Sequence, residues 1–224
     1  MFFSRMLKFS LMISLIFGVI QPIYAEVPAL ETPTPPFWRG NAKVWNKISE
    51  HRDIVVSVVA HKENAKKKLK KLSMQGIGIV NLSSTRSFES LKDINRLKNI
   101  SDYIKNLQFN PKTMKAYMMS EAFDYRADMW LQIGYHETDL YKEIRFKVVQ
   151  GAFKGLLGNI SFKPYKTSKS QIMLRAEYEY SKLPFPQFFV EFGLEVVLQK
   201  IAAKVRTFLE SQKKKKKVAN NESN

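Results

Sequence analysis

The stretch AFDYRADMWLQIGY, residues 122–135, constrains the chain more than any other. Phe123, Tyr125, Ala127, Met129, Leu131, Ile133 and Tyr135 fall at every second position. Arg126, Asp128, Trp130 and Gln132 occupy positions between them. A period of two marks a strand with one buried face. An antiparallel sheet of such strands needs an apolar layer against that face. The end of the chain supplies one. In PFPQFFVEFGLEVVLQKIAAKVRTFLES, Val190, Leu194, Val197, Ile201, Val205 and Phe208 recur at steps of three or four. That is the stripe of a long amphipathic helix, and the proline pair suits its start.

Between these landmarks the period changes twice. RDIVVSVVAHK (52–62) reads as a strand, and the lysine-rich turn after it leads into a second strand ending near 82, so the two form a hairpin. Phe88, Leu91, Ile94, Leu97, Ile100 and Ile104 then step by three or four, which predicts two short helices broken near Asp93–Asn95. Ser83 or Ser84 caps the first. Alternation resumes in LQF (107–109), TMKAYMM (113–119), YKEIRFKVV, LLGNISFKP and QIMLRAEYEYS. The predicted class is α+β: a curved antiparallel sheet wrapped around a long C-terminal helix, with two short helices after an early strand.

GAFKGLLGN (151–159) has the glycines and the lysine of a phosphate-binding loop, but not the context. A phosphate loop passes from strand to helix. Here alternating runs lie on both sides, so a wide hairpin or bulged corner is expected.

The ends carry different signals. Arg5 and Lys8 precede a short apolar run, SLMISLIFGVI (10–20), and QPIYA closes on Ala25. This is the plan of a secretory signal over 1–25, cleaved near Ala25. The alternative is an uncleaved anchor, for which the run is short. Export to the periplasm or medium follows, and the chain has no cysteine, so it must be stable without disulfides. Residues 26–40 are proline-rich and read as an extended linker, the domain as 41–211, and 212–224 as a disordered lysine-rich tail. The formal charge is +17. Lys213–Lys217 suit an anionic membrane surface, or simply keep the protein soluble. No nucleic-acid motif accompanies the charge, so no nucleic-acid partner is expected.

VVQGAFKGLLGNISFKP resembles a strand pair of the polyketide cyclase/dehydrase (coenzyme-Q-binding type) family, within the START-like, SRPBCC helix-grip superfamily. LPFPQFFVEFGLEVVLQKIAAKVR resembles that family's last helix. GIGIVNLSSTRSFESLKDINRLKNISDYIKN resembles its first strand and paired helices. The resemblance covers about residues 74–210, and segment 38–72 has no counterpart in it. It implies a deep apolar cavity between sheet and helix that holds lipids, quinones, sterols or polyketides.

No catalytic constellation is visible. His51, His61 and His136 lie in polar neighbourhoods without metal-ligand spacing. Asp124 and Asp128 share the polar strand face, and Ser83, Ser84 and Ser87 lack a nucleophile elbow. No catalytic residue, metal or cofactor is expected. The expected cavity wall comprises Tyr125, Ala127, Met129, Leu131, Phe146 and Phe162 from the sheet, and Phe189, Phe192, Val196 and Val197 from the helix. Ala127 is the small residue on an otherwise large apolar face. The expected function is an exported binding or carrier protein for an apolar small molecule or lipid. A cyclase or dehydrase on an aromatic polyketide-like substrate and a ligand-free scaffold are the alternatives.

Overall fold

The alternating segments pair as one eight-stranded antiparallel sheet. We obtained a computed structural model describing residues 26–30, 34–64, 69–183 and 189–221; the side chains of 62–64, 191 and 214–221 are not among those described. The strands are β1 (Val55–Asn64), β2 (Leu69–Val80), β3 (Ile104–Asn110), β4 (Lys115–Ala122), β5 (Tyr125–Glu137), β6 (Lys142–Gly151), β7 (Leu157–Tyr165) and β8 (Lys169–Tyr180). Their order is β1-β2-β8-β7-β6-β5-β4-β3. Irregularities between His61 and Asn64, Ile104 and Asn106, and Trp130 and Leu131 bend the sheet, because an inserted residue increases local twist. Among the described residues the helices are α1 (Ala42–Ser49), α2 (Ser84–Lys92), α3 (Leu97–Ile100) and α4 (Leu194–Asn221), with a wide helical turn at Phe189–Gly193 leading into α4.

Two short helices follow β2, as the period change predicts, joined by a tight turn at Ile94–Arg96. Ser83 stands at the cap position of α2, but its side chain makes no capping bond. The concave face of the sheet holds α2, α3 and α4. Leu72, Met74, Val80, Phe88, Leu91, Ala127, Met129 and Leu131 belong to one buried cluster there.

The glycine segment is a hairpin corner. Gly155 N–H donates to Val148 O at 2.8 Å, and Val148 N–H donates to Leu156 O at 2.8 Å. Gly151 has φ +86°, and a Cβ there would lie 2.1 Å from Asp128 O, so only glycine lets β6 pass so close to β5.

Three expectations change. Residues 26–30 and 34–40 are not a free linker. Val27 and Trp38 are buried, and residues 34–37 are bound to the outer face of β2 and β8. Phe37 N–H donates to Gln75 Oε1 at 3.0 Å, and Gln75 Nε2 donates back to the carbonyls of Thr34 and Pro35. Arg175 donates to Thr34 O, and Thr34 donates through its N–H and hydroxyl to Glu177. Buried polar groups on a sheet face require such partners. Behind this strap, α1 closes a second apolar cluster of Trp38, Ile48, Ile77 and Ile79. The Asn41 side chain caps α1 by accepting from Val44 N–H at 3.1 Å. The sheet is therefore covered on both faces at β2 and β8.

The second change is at Phe123. It does not continue β5 but forms a two-residue turn with Asp124, at φ 51° and 62°. Such a turn favours asparagine and glycine, so the sequence disguises it. The third change is at the C-terminus. Helix α4 runs to Asn221, so 212–221 is helical rather than structureless. Lysine has good helix propensity, and a helix already packed over its first turns needs no new nucleus to continue.

Candidate functional site

Two cavities lie between the concave sheet face and α4. The larger is about 230 Å³, walled by β4, β5, β6 and β8, the start of β3, the turn at Phe189 and the first turns of α4. The smaller is about 160 Å³, walled by β2, β6, β7, β8, α2, α3 and the middle of α4. Leu174, Leu198 and Ile201 line both, so these three side chains form the partition.

The larger cavity exists because its floor is shallow. Ala127 on β5 and Ala176 on β8 carry only methyl groups there. Phe146 would otherwise fill more of the space. Its ring instead lies over Gly158, whose absent side chain makes room: a Cβ there would be 2.5 Å from Phe146 Cζ. The polar groups in the wall, Tyr103, Ser120, Glu121 and Tyr125, gather at the end nearest the Phe123–Asp124 turn. At that end Phe123 and Tyr125 are exposed, and each lies against the Phe189 ring, with centroids 5.3 and 5.2 Å apart. A strained turn holding an aromatic side chain in solvent beside a cavity is a functional signal, since strain of this kind persists only where the surroundings impose it.

The smaller cavity has a different origin. Gly76 and Gly78, two residues apart on β2, present no side chain to the concave face, and both line the space. The pattern GIGIV carried this signal: alternate glycines in a strand leave one face bare. The sequence reading did not assign those residues to the site. Arg206 is the one charged side chain among the residues lining this cavity.

Of the expected wall residues, Tyr125, Ala127, Met129, Leu131, Phe146, Phe189 and Val197 line the larger cavity. Phe162, Phe192 and Val196 do not. Phe162 is fully buried against Phe88, centroids 5.6 Å apart, and serves packing between sheet and α2. Phe192 is 74% exposed. The wide turn at Phe189–Gly193 shifts the register of the helix face, so extrapolating the α-helical period backwards from α4 assigns Phe192 to the wrong side. Val196 is half-buried beside the wall without reaching the space.

Among the described residues no cluster of histidine, aspartate and glutamate could hold a metal ion. His61 shares a hydrogen bond with Ser73 at 3.0 Å on the outer face. Asp128 pairs with Arg126 at 2.8 Å and accepts from Tyr117. The Arg126 and Tyr117 hydrogen bonds hold its carboxyl below the ordinary value. Burial pushes the Tyr135 phenol up to about 12, where its hydroxyl donates to Lys92 O at 2.6 Å. No described helix is long and apolar enough to cross a membrane.

No protein-family model matches the chain, and no curated protein matches it. The narrower resemblance to the polyketide cyclase/dehydrase family therefore gains no support from those comparisons. Solved structures do match. A START superfamily protein from Mycobacterium smegmatis is 14% identical with a TM-score of 0.53, covering 62% of this chain and 98% of its own. A STAR-related lipid transfer protein from Xanthomonas axonopodis is 11% identical with a TM-score of 0.51, covering 68% and 98%. Human StAR-related lipid transfer protein 5 is 10% identical with a TM-score of 0.52, covering 75% and 94%. Likeness at this identity concerns the backbone alone. The curved eight-stranded sheet gripping a long C-terminal helix is the START-like helix-grip fold, and that is the fold of this chain.

Proposed function

We propose that this protein binds and carries an apolar small molecule or lipid between the sheet and α4. One observation carries the reading: two apolar cavities, about 230 and 160 Å³, share a partition of three aliphatic side chains. Ligand sites are concave, mostly apolar and furnished with a few polar groups. An ordinary core does not keep such space, because interiors pack to crystal density. Two of the structural neighbours are named as lipid transfer proteins, which agrees with this reading for the present chain. The test is uptake of an apolar fluorescent dye by the delipidated protein, with displacement by unlabelled lipid. Saturable, displaceable uptake supports carriage. Its absence points to a scaffold.

Export belongs to the same proposal. The charged and apolar N-terminal segment and Ala25 lie outside the described residues, and they motivate cleavage there. Cleavage after Ala25 would leave the new amino terminus one residue before Val27, which is buried against Gly134. An intact mass beginning at Glu26 supports this, and a membrane-bound product retaining Met1 contradicts it. Lys213–Lys217 would favour an anionic bilayer at about 1 kcal/mol per near-surface lysine. Deleting them should weaken binding to anionic vesicles and reduce its salt sensitivity.

A further inference from the structure

The smaller cavity ends at a cluster of charge that the carriage of a neutral molecule would not require. Arg206 on α4 lines the cavity. Its guanidinium donates to the backbone carbonyl of Arg52, and no carboxylate pairs with it among the described residues. Arg52 sits between α1 and β1 with φ 58°, a left-handed conformation uncommon outside glycine. Its side chain pairs with Glu210, which also accepts from Asn81 N–H at 2.9 Å. Arg52 Nε is buried and has no partner. Arg86, on α2, donates to the carbonyl of Gln212, two residues beyond Glu210 on α4. Near this end of the cavity Arg52 pairs with Glu210, while Arg206 and Arg86 are bonded to backbone carbonyls and to no carboxylate among the described residues.

The other direction is wholly apolar. Arg206, Ala202 and Leu198 stand one above another along α4 and all line the cavity. Eight residues of helix span about 12 Å. Beyond Leu198 the aliphatic partition of Leu174, Leu198 and Ile201 separates this space from the larger cavity. A slot with a cation at one end and aliphatic walls beyond it matches a molecule with an anionic head and one alkyl chain. A guanidinium presents a planar fork that suits a carboxylate.

Resting on the carriage reading above, we infer that the smaller cavity takes the chain of a single-chain amphiphile whose carboxylate meets Arg206. The larger cavity accepts chain length beyond the partition.

Calorimetric titration of the delipidated protein with dodecanoate and with dodecanol tests this. The two share a chain and differ in the head. The wild type should bind dodecanoate roughly tenfold more tightly, the scale of one charge-assisted hydrogen bond. Arg206→Gln should remove that preference, bringing the affinities for dodecanoate and dodecanol together. Arg206→Lys keeps the charge without the fork, and reads the same site should the glutamine variant fail to fold. It should lower affinity for dodecanoate alone. Equal affinities in the wild type would overturn the head-group assignment while leaving carriage intact. So would a preference that survives Arg206→Gln, or a lysine variant that weakens both ligands alike. Binding of neither molecule would overturn carriage and this inference together.

Discussion

Replacing Ala127 by phenylalanine separates a cavity from a core. Ala127 is 5% exposed and its methyl group forms part of the wall of the 230 Å³ cavity. An empty cavity of that size costs about 5–6 kcal/mol at roughly 24 cal/mol per Å³. That is a large share of the 5–15 kcal/mol that holds a typical domain together. A phenyl ring placed there recovers about 1.5–3 kcal/mol of burial, reduced by about 0.5–1 kcal/mol of side-chain entropy. Phenylalanine suits a strand and brings no polar atom needing a partner. The ligand-free variant should therefore gain about 1–2 kcal/mol, a rise in Tm of roughly 2–8 °C for a chain of this size. The same ring should block uptake of an apolar fluorescent dye. Thermal melting by circular dichroism and dye titration on one delipidated preparation give both readings. A loss of 1–3 kcal/mol, as overpacking causes in a filled interior, would refute the reasoning. So would undiminished dye uptake.

Trp38→Ala should cost about 3–5 kcal/mol in urea unfolding, because Trp38 is buried on the outer face with Ile48, Ile77 and Ile79; dye affinity should hold. Burial alone would raise the Glu177 carboxyl, but hydrogen bonds from Lys71 and from the Thr34 amide and hydroxyl outweigh it and leave it below the ordinary value. A depressed carboxylate stabilises the fold above its unfolded pKa and loses that contribution as pH falls through the folded value. Acid titration should therefore weaken the wild type below about pH 4.5, and Glu177→Gln should flatten that part of the profile. Gly158→Ala should push the Phe146 ring, whose Cζ lies 2.5 Å from a Cβ at this position, toward the larger cavity and lower dye uptake, and should lower the melting temperature as well, because the same Cβ would lie 2.8 Å from the Arg175 carbonyl.

The alternation in β5 and the stripe in α4 exposed the grip architecture to reading because both are periodic, and periodicity survives without knowledge of partners. The wall residues of β5 followed from the same alternation. What escaped depends on contacts distant in sequence. Thr34 and Phe37 look like linker residues until Gln75, Arg175 and Glu177 are brought opposite them by the pairing of β2 with β8. Proline in 28–36 signals extension, and an extended strap lying on a sheet satisfies that signal as well as a free linker does. The Phe123–Asp124 turn escaped because Phe123, unlike Asp124, is not a usual former of such turns and continues the apolar alternation of β5. Phe192 was misplaced because the wide turn breaks the 3.6-residue step. The smaller cavity was written in Gly76 and Gly78, but a missing side chain is visible only when its neighbours are known.

The central claim is that the space between sheet and helix is occupied by an apolar molecule in the cell. Native mass spectrometry of the protein purified from its own host tests it most directly. The account predicts a population heavier than the bare chain by the mass of a non-covalent adduct. Organic solvent should release that adduct as an apolar or single-chain amphiphilic molecule, and delipidation should abolish it. A bare mass in every preparation, from a protein that also takes up no lipid when lipid is supplied, would contradict the account.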